Sequence, residues 1–353
     1  MLHISIIGTA GVPACYGGFE SLVENLLNYT PENVEYTVFC SSKKYDKKLD
    51  TYKGAKLVYL DMDANGKDSI LYDYKSMKMS LNADIMLILG VSGCMFLKKI
   101  RRKFNGKIIT NIDGLEWRRD KWNFLAKKIL KYSEQQAVKY SDMIIGDNKG
   151  ITDYVKGSYH KEAVLIAYGG DNVKKITDDS LYEKYPFCRE NYAVTVCRIE
   201  PENNIHLILE AFSKTDYPFV IVGNFDHSEY GKALKHKYSA FKNIHLLNPI
   251  YDSHIINWLR GNAGLYVHGH SAGGTNPSLV EAMNLGLPVL AFDCVYNRAT
   301  TENGCYYWQT SSELLSLLKT SSTEFPKISK KMLEIATRLY TWQRIAGEYN
   351  NLY

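Results

Sequence analysis

The stretch that decides the fold is Tyr266-Val-His-Gly-His-Ser-Ala-Gly-Gly-Thr-Asn-Pro-Ser-Leu-Val-Glu-Ala-Met-Asn-Leu-Gly-Leu-Pro-Val-Leu-Ala-Phe292. Gly264 to Val267 is short and apolar, which is typical of a buried strand. A Gly-rich polar loop follows, and Pro277 to Asn284 is predicted to be a helix because proline suits the first helical position. Pro288 to Phe292 is predicted to be the next buried strand. A strand, a glycine loop and a helix N-terminus make an anion site, since backbone N–H groups and the helix dipole favour negative charge.

The residues of this anion site follow from their positions on the loop and helix. We expect the phosphates of a ligand to lie against the backbone of Gly273, Gly274, Thr275, Asn276, Pro277 and Ser278. Glu281 lies one turn further along the helix and can reach a hydroxyl group just beyond the phosphates. The alternative is an ordinary βαβ unit whose loop contains glycine, because such loops are common.

Length and composition bound the class of protein. A chain of 353 residues is long enough for two domains of ~150–180 residues. Hydrophobic residues at 45% and charged residues at 23% are ordinary for globular domains and argue against disorder. Lys+Arg 43 against Asp+Glu 38 gives a net charge of +5, which is too mild to indicate a nucleic-acid partner.

Cysteine usage and hydropathy bear on location. The seven cysteines are scattered without a Cys-x-x-Cys spacing, which favours reduced thiols and a cytoplasmic protein. The chain enters a strand at Leu2 with no basic leader. No apolar run approaches ~18 residues, so we expect only peripheral contact with a membrane. A basic cluster at Lys98 to Lys103 is either a solvated helix face or a patch for anionic phospholipid or a lipid pyrophosphate.

Strand-like runs alternate with helical stretches along most of the chain, which predicts parallel, doubly wound sheets. The closing segment, Ile328 to Tyr349, is predicted to be one helix. Outside the opening stretch, strands are expected at Leu2–Ile7, Tyr36–Cys40, Lys56–Leu60, Ile85–Leu89, Lys107–Asn111, Met143–Gly146, Val194–Cys197, Phe219–Val222 and Ile244–Leu246.

The segment Asn111-Ile-Asp-Gly-Leu-Glu-Trp-Arg-Arg119 follows one of these strands at its carboxyl end, where doubly wound sheets bind ligands. Asp113 and Glu116 are candidates for positioned carboxylates, and Arg118 and Arg119 could hold phosphate. The alternative is an aspartate that caps a helix starting near Leu115, followed by surface arginines.

Other patterns weigh against a cofactor or a metal. NAD binding is disfavoured because four glycines do not fit the spacing G-x-G-x-x-G: Gly8, Gly11, Gly17 and Gly18. Their loop either faces a substrate or is a long strand–helix turn. Asp61 and Asp63 mimic a metal-binding Asp-x-Asp, but the turn residues around them favour solvated acids. His268 and His270 lack a third ligand at a suitable spacing and are expected to be hydrogen-bonded loop side chains.

Three motifs resemble one enzyme family. Residues 273–290 are similar to the donor-binding motif of retaining glycosyltransferases of family four, which have the GT-B fold. In that motif a Glu, seven residues and a second Glu precede Ala-Met and a Gly-x-Pro-Val strand. Three segments resemble a narrower subgroup, the rhamnosyltransferases that use dTDP-rhamnose to build bacterial surface polysaccharides. The segments are Gly-Gly-Thr-Asn-Pro-Ser-Leu (273–279), Ile-Gly-Thr-Ala-Gly-Val-Pro-Ala-Cys-Tyr-Gly-Gly-Phe-Glu (7–20) and Asp-Gly-Leu-Glu-Trp (113–117).

The resemblance implies roles for the matching positions. Glu281 would hold the nucleotide ribose, and Arg198 would contact the donor diphosphate. Gly273 stands where the family has its first Glu, which touches hydroxyls of the transferred sugar, so an altered donor is implied. Asn203 stands where a diphosphate-binding Lys is usual, so Arg198 must carry more of the charge. Tyr251 either stacks on the base or packs as an ordinary side chain, and the alternative for Arg198 is a surface ion pair. The remaining roles are donor contact for Gly17 and Gly18, acceptor contact for Tyr16, Phe19, Arg118 and Arg119, and catalysis for Asp113, Glu116 and Arg198.

The implied architecture is α/β, with two Rossmann-like domains facing a cleft. We expect residues 1–171 to bind the acceptor, 172–190 to be a linker, 191–327 to bind the donor, and 328–353 to form a helix crossing back to the first domain. The implied reaction is retaining and metal-independent. It moves rhamnose from dTDP-rhamnose to a polyprenyl-pyrophosphate-linked sugar at the inner face of the plasma membrane, without a cofactor. A sugar-nucleotide epimerase of the same fold and a non-catalytic nucleotide-sugar-binding protein remain alternatives.

Overall fold

The structure is a computed structural model that describes residues 1–15, 17–118, 122–319 and 324–353. The chain divides into two units. Unit 1 comprises Met1–Ala167 with Trp342–Tyr353, and unit 2 comprises Tyr168–Thr341. Both are parallel α/β units, as the alternating pattern predicts.

The secondary structure follows the predicted alternation. The strands are β1 Leu2–Ile7, β2 Val34–Ser41, β3 Thr51–Tyr52, β4 Ala55–Leu60, β5 Ile85–Leu89, β6 Lys107–Asn111, β7 Met143–Gly146, β8 Val164–Leu165, β9 Ala193–Val196, β10 Phe219–Val222, β11 Ile244–Leu247, β12 Leu265–His268, β13 Val289–Phe292 and β14 Tyr306–Trp308. The helices are α1 Gly18–Leu26, α2 Ser69–Met79, α3 Leu97–Arg101, α4 Phe124–Tyr140, α5 Lys149–Tyr159, α6 Leu181–Lys184, α7 Ile205–Phe212, α8 Glu229–Tyr238, α9 Ser253–Gly261, α10 Pro277–Asn284, α11 Val295–Thr300, α12 Ser311–Leu318, α13 Phe325–Leu339 and α14 Trp342–Asn350. Short 3-10 helices cover Leu27–Tyr29, Gly66–Asp68, Ser92–Phe96, Glu116–Arg118, Pro186–Arg189, Pro201–Asn203 and Phe225–His227.

The sheet of unit 1 has the order β3-β4-β2-β1-β5-β6-β7-β8. Its pairs are parallel except β3 with β4. All residues of β5 are buried, because a central strand of such a sheet is covered on both faces. The strand order reverses between β1 and β5, so the loops after these two strands flank the point where doubly wound sheets usually bind ligands.

The sheet of unit 2 is parallel and has the order β11-β10-β9-β12-β13-β14. Its core includes Phe212 of α7, which stacks on Phe219 of β10 with ring centroids 4.2 Å apart. The order reverses between β9 and β12. This reversal brings the loops after β9 and β12 together at one edge of the sheet.

The end of the chain differs from the single helix predicted over 328–349. The helical run breaks at Tyr340, whose backbone oxygen accepts hydrogen bonds from the Gly170 N–H at 2.8 Å and from Asn284 Nδ2 at 3.2 Å. Helix α13 packs against α10 in unit 2, and only α14 and the residues after it belong to unit 1. In unit 1, Tyr349 of α14 accepts a hydrogen bond from Asn111 Nδ2 at 2.8 Å.

Residues 172–190 also differ from the predicted linker, because they belong to unit 2. Asn262 Nδ2 donates to the backbone oxygen of Ile176 at 2.9 Å, and His254 Nε2 lies 2.9 Å from Asp178 Oδ2. These contacts fix the segment on α9. Across the described ranges, no helix combines the length and the apolar character needed to cross a bilayer.

Candidate functional site

The loops after β9 and β12 form one surface in unit 2. The backbone N–H and Oγ of Ser271 both donate to the Glu202 carbonyl, at 2.9 and 2.8 Å. Asn204 Nδ2 donates to the Gly269 carbonyl at 2.9 Å. A Cβ atom on Gly269 would lie 2.1 Å from the Asn203 backbone oxygen, so only glycine permits this close approach. The structure thus joins the Arg198 loop and the Gly-rich loop, both of which the sequence predicted to be functional.

Arg198 follows β9 and is exposed. Among the residues that the structure describes, its guanidinium has no ion-pair partner. Asn203 is buried, and its Nδ2 donates to the Arg198 carbonyl at 2.7 Å. Asn203 therefore shapes the loop around Arg198, whereas the resemblance noted above implies a diphosphate-binding Lys at this position.

The Gly-rich loop leads into the N-terminus of α10. The N–H groups of Gly273 and Gly274 have no hydrogen-bond acceptor within the described part of the chain. Asn276 caps the helix, and its Oδ1 accepts from the Ser278 N–H at 3.0 Å and from Ser278 Oγ at 2.7 Å. The N–H of Ser278 is therefore used internally, unlike its predicted role, and the glycine N–H groups remain for an anion.

Gly273 stands where the family that the sequence resembles has its first Glu. Its φ of +116° lies in a region that L side chains rarely adopt, although a Cβ atom there would meet nothing within 4 Å. Space for a side chain therefore exists, but any residue other than glycine would be strained in this backbone conformation.

Glu281 is largely buried and paired with a basic side chain. Its side chain is 16% exposed and forms an ion pair with Arg260, which is 8% exposed. Asn172 Nδ2 donates to Glu281 Oε1 at 3.0 Å. Sequence reasoning missed Arg260 and Asn172, because a basic residue in the last turn of a helix is ordinarily a surface residue.

Two further predicted residues of unit 2 have opposite environments. Tyr251, predicted to stack on a base, is 88% exposed and directly precedes the N-cap Asp252 of α9.

His268 is fully buried, and neither ring nitrogen has a hydrogen-bond partner among the described residues, so the expectation of a hydrogen-bonded histidine is wrong. Its ring stacks on His270 with centroids 4.5 Å apart. Burial lowers the pKa of His268 to about 3, which keeps the imidazole neutral.

The loop after β1 in unit 1 is folded around Glu20, a residue to which sequence analysis assigned no role. Glu20 Oε1 accepts from Thr9 Oγ1 at 2.9 Å and from the Ala10 N–H at 2.6 Å, and Oε2 accepts from the Gly17 N–H at 2.9 Å. The N–H of Gly17, a residue predicted to contact the sugar donor, is therefore hydrogen-bonded to this carboxylate. Gly18 is the first residue of α1.

Of the predicted acceptor residues near this loop, Tyr16 lies outside the described residues. A Cβ atom built on Gly90 would lie 3.5 Å from Phe19 Cε2, so the Phe19 ring lies beside the end of β5. Phe19 is therefore at the strand reversal of unit 1.

Asp113 has a left-handed backbone, with φ +56°. Its N–H donates to Asn111 Oδ1 at 2.9 Å, and the Ile112 N–H donates to the Ile145 carbonyl at 3.0 Å. The alternative has Asp113 cap a helix starting near Leu115; the structure has a short 3-10 helix at Glu116–Arg118, and α4 begins at Phe124, where Asn123 caps it. A left-handed aspartate costs roughly 1–3 kcal/mol, and such strain is concentrated at functional sites.

The residues after Asp113 are fixed by a buried carboxylate on α4. Glu134 accepts from Trp117 Nε1 at 2.9 Å, from Tyr154 OH at 2.6 Å and from Lys131 Nζ at 3.0 Å. Arg118 lies over the Trp117 ring, 5.2 Å from its centroid. Glu116 Oε2 accepts from Trp122 Nε1 at 3.3 Å. Arg119 lies outside the described residues.

The Asp-x-Asp pattern is engaged by ordinary surface contacts. Lys43 Nζ lies 3.7 Å from carboxylate oxygens of Asp63 and Asp68, and Ser42 Oγ donates to Asp61 Oδ1 at 3.2 Å. In the part of the chain that the structure describes, no group of three or more His, Cys, Asp or Glu side chains could hold a metal ion.

Comparison with known proteins identifies the type of fold. Residues 1–171 match the family model "Domain of unknown function (DUF1972)", and residues 182–304 match "Glycosyl transferases group 1". None of the curated proteins matches the chain.

Solved structures resemble the chain over its whole length. Sucrose-phosphate synthase from Thermosynechococcus elongatus has a TM-score of 0.85 at 15% identity, covering 100% of this chain and 98% of the other. HepE from Anabaena, in complex with UDP-glucose, has a TM-score of 0.78 at 14% identity, covering 100% and 99%. A glycosyltransferase from Rickettsia africae has a TM-score of 0.71 at 15% identity, covering 100% and 97%. The chain therefore has the GT-B fold, and its second unit carries a glycosyl transferases group 1 domain.

Proposed function

We propose that this protein is a glycosyltransferase whose second unit binds a nucleotide sugar. The observation that carries the proposal is the meeting of Arg198, the N–H groups of Gly273 and Gly274, and the N-terminus of α10 on two joined loops. Departure of a nucleoside diphosphate creates negative charge, and these groups are the donors that would stabilise it. The family match of residues 182–304 and the UDP-glucose bound by HepE support the same reading.

The proposed reaction is metal-independent transfer with retention at the anomeric carbon. The leaving phosphate takes the proton of the acceptor hydroxyl, so no pair of catalytic carboxylates is required. Arg198 and the loop N–H groups supply the positive charge that a metal ion supplies in other transferases. Asp113, with its strained backbone, orients the acceptor hydroxyl or stabilises positive charge on the sugar ring. Glu116 assists it on the same segment.

The proposed donor is dTDP-rhamnose. Glycine at position 273 removes the carboxylate that family relatives direct at the sugar, and this change fits a donor with a different hydroxyl pattern. Tyr251 is exposed enough to stack on the base, and Glu281 is one turn beyond the anion site, where a ribose would follow the phosphates.

The proposed acceptor is a polyprenyl-pyrophosphate-linked sugar, reached at the cytoplasmic face of a membrane. Phe124 and Leu125, the first residues of α4, are 73% and 66% exposed, and Lys128 lies over the Phe124 ring at 4.4 Å. Exposed basic residues of the neighbouring α3 region add positive charge, namely Lys98, Lys99, Arg102 and Lys103. Arg101 is not among them, because it pairs with Asp142. An exposed apolar pair beside basic side chains suits an anionic lipid surface.

Vesicle sedimentation tests the membrane contact. We expect binding to vesicles of phosphatidylcholine with phosphatidylglycerol and little binding to phosphatidylcholine alone. The double variant Phe124→Ser, Leu125→Ser should lose binding, and equal sedimentation of wild type and variant would refute the contact.

A thermal-shift panel of nucleotide sugars, followed by turnover assays, tests the function. We expect dTDP-rhamnose to raise the melting temperature and to be consumed only when a lipid-linked acceptor is present. Conversion of the donor alone would indicate an epimerase. Binding of the donor without turnover of any acceptor would indicate a non-catalytic binding protein.

A further inference from the structure

We propose that Arg260 is a positioning residue that holds the Glu281 carboxylate ready for the hydroxyls of the nucleotide ribose. The inference rests on the proposed function, because it assigns Glu281 to the ribose. Arg260 lies in the last turn of α9, and Glu281 lies in the middle of α10. Both side chains are largely buried, so the pair is shielded from the water that weakens surface ion pairs.

Each carboxylate oxygen of Glu281 is engaged by a different partner. Arg260 Nη1 donates to Oε2, and Asn172 Nδ2 donates to Oε1 at 3.0 Å. A carboxylate offers about four lone-pair sites, so two remain for hydroxyl donors. Fixing the flexible Glu side chain before the ligand arrives removes an entropy cost that binding would otherwise include.

Neighbouring segments deliver the two partners to this position. Asn262 Nδ2 donates to the Ile176 carbonyl at 2.9 Å, which fixes the segment that carries Asn172 against the end of α9. A Cβ atom on Gly261 would lie 2.9 Å from Lys175 Cα, so the two backbones are in close contact. Arg260 and Asn172 therefore approach Glu281 from elements that are packed together.

The contact with Glu281 leaves one hydrogen-bond donor of the Arg260 guanidinium unpaired. Arg260 Nε is buried and has no hydrogen-bond partner among the described residues. A buried guanidinium with a purely structural role is expected to have its donors satisfied. Its unsatisfied donor, on a side chain paired with Glu281, fits a residue whose surroundings are completed by a ligand.

The test is a double-mutant cycle on UDP binding, measured by titration calorimetry. Glu281→Gln and Arg260→Gln should each weaken UDP binding about tenfold, the scale of one charged hydrogen bond lost. The double variant should bind no more weakly than Glu281→Gln alone, because Arg260 acts through Glu281. Binding of inorganic pyrophosphate, which lacks ribose, should be unchanged in all three. Multiplicative losses on UDP, or an equal loss on pyrophosphate, would overturn the proposal.

A matched control and two milder variants keep the test decisive. Arg338→Gln removes an ion pair with Glu302 elsewhere in unit 2 and should leave UDP affinity unchanged. If Arg260→Gln fails to fold by circular dichroism, Arg260→Lys keeps the charge and Asn172→Ala removes the second partner. Each of these two variants should weaken UDP binding about threefold, because each removes only part of the hydrogen bonding that holds Glu281.

The outcomes separate the inference from the proposed function. If Glu281→Gln binds UDP as tightly as wild type does, the ribose contact itself fails. If Glu281→Gln weakens binding but neither the Arg260 variants nor Asn172→Ala does, only the positioning role of Arg260 fails.

Discussion

The two sheet edges where the strand order reverses are built in opposite ways. In unit 2, within the described residues, the edge presents an Arg198 guanidinium without an ion-pair partner and N–H groups of Gly273 and Gly274 without a hydrogen-bond acceptor. In unit 1, the carboxylate of Glu20 accepts hydrogen bonds from the loop N–H groups of Ala10 and Gly17. One scaffold thus yields an edge with donors left for an anion and an edge where the Ala10 and Gly17 donors are already hydrogen-bonded to a carboxylate. We therefore expect the second edge to act through side chains such as Asp113.

The largest effect is expected from Asp113→Asn in unit 1. This change keeps the size of the side chain but removes its charge, and a positioning or acid/base role accounts for about 10²–10⁴-fold in rate. Turnover should fall by that factor, while the affinity for UDP stays unchanged, because the nucleotide is assigned to unit 2. Asp153→Asn, which removes a surface partner of Lys149, is the control. Near-normal turnover of the Asp113 variant would make this residue structural.

Removing the cation of unit 2 should have the next largest effect. Arg198→Ala should weaken UDP binding by about 1.5–3 kcal/mol, the scale of a hydrogen bond to a charged group. Calorimetry on wild type, Arg198→Ala and the exposed control Arg189→Ala measures this difference. Equal affinities of the three proteins would remove Arg198 from the anion site and leave the two edges alike.

Glu20→Gln tests the other side of the comparison. Glutamine has one acceptor oxygen, so its NH2 group would face the Ala10 or the Gly17 N–H, each of which now donates to the carboxylate. The free energy of unfolding of unit 1 should fall by about 1–3 kcal/mol. Denaturant unfolding followed by tryptophan fluorescence gives this value, and calorimetry should show unchanged UDP affinity. A parallel loss of UDP affinity would contradict the division of roles between the units.

The smallest effect concerns Asp73 of α2, another buried carboxylate of unit 1. Its Oδ2 accepts from the Gly93 N–H at 3.0 Å, and burial raises the pKa of its carboxyl to about 8. Because the folded-state pKa lies above the unfolded value of about 4, the stabilisation is complete below pH 4 and is lost as pH rises through 8.

As pH rises from 7 to 9, ionisation of Asp73 should lower the free energy of unfolding of unit 1 by about 1 kcal/mol. Asp73→Asn cannot ionise, so its stability should change less over the same interval. Urea unfolding of both proteins at the two pH values measures the difference. Identical pH dependence would show that Asp73 titrates normally.

The sequence predicted the fold well where burial alone determines structure. The strands expected at Ile85–Leu89, Lys107–Asn111 and Phe219–Val222 coincide with β5, β6 and β10, because central strands buried on both faces are continuous apolar runs. The two α/β sheets and the GT-B class are confirmed. The two-residue edge strands β3 and β8 were missed, since so short a segment shows no periodicity.

The candidate site was predictable only in part. The positions of Arg198 and the Gly-rich loop were predictable because each follows a buried strand, and strand ends are visible in sequence. Glu20, Glu134 and Arg260 were missed, because each is defined by hydrogen-bond partners that lie many residues away in the sequence and form no recognisable motif with it. The predicted roles of the site residues themselves stay predictions.

The most direct test of the central claim is a calorimetric titration of UDP and dTDP into the wild-type protein in the presence of EDTA. Our account predicts saturable binding of at least one of the two nucleotides, unchanged when magnesium or manganese replaces the chelator, because Arg198 and the α10 N-terminus supply the positive charge. Absence of binding for both nucleotides, or binding that requires the metal ion, would contradict it.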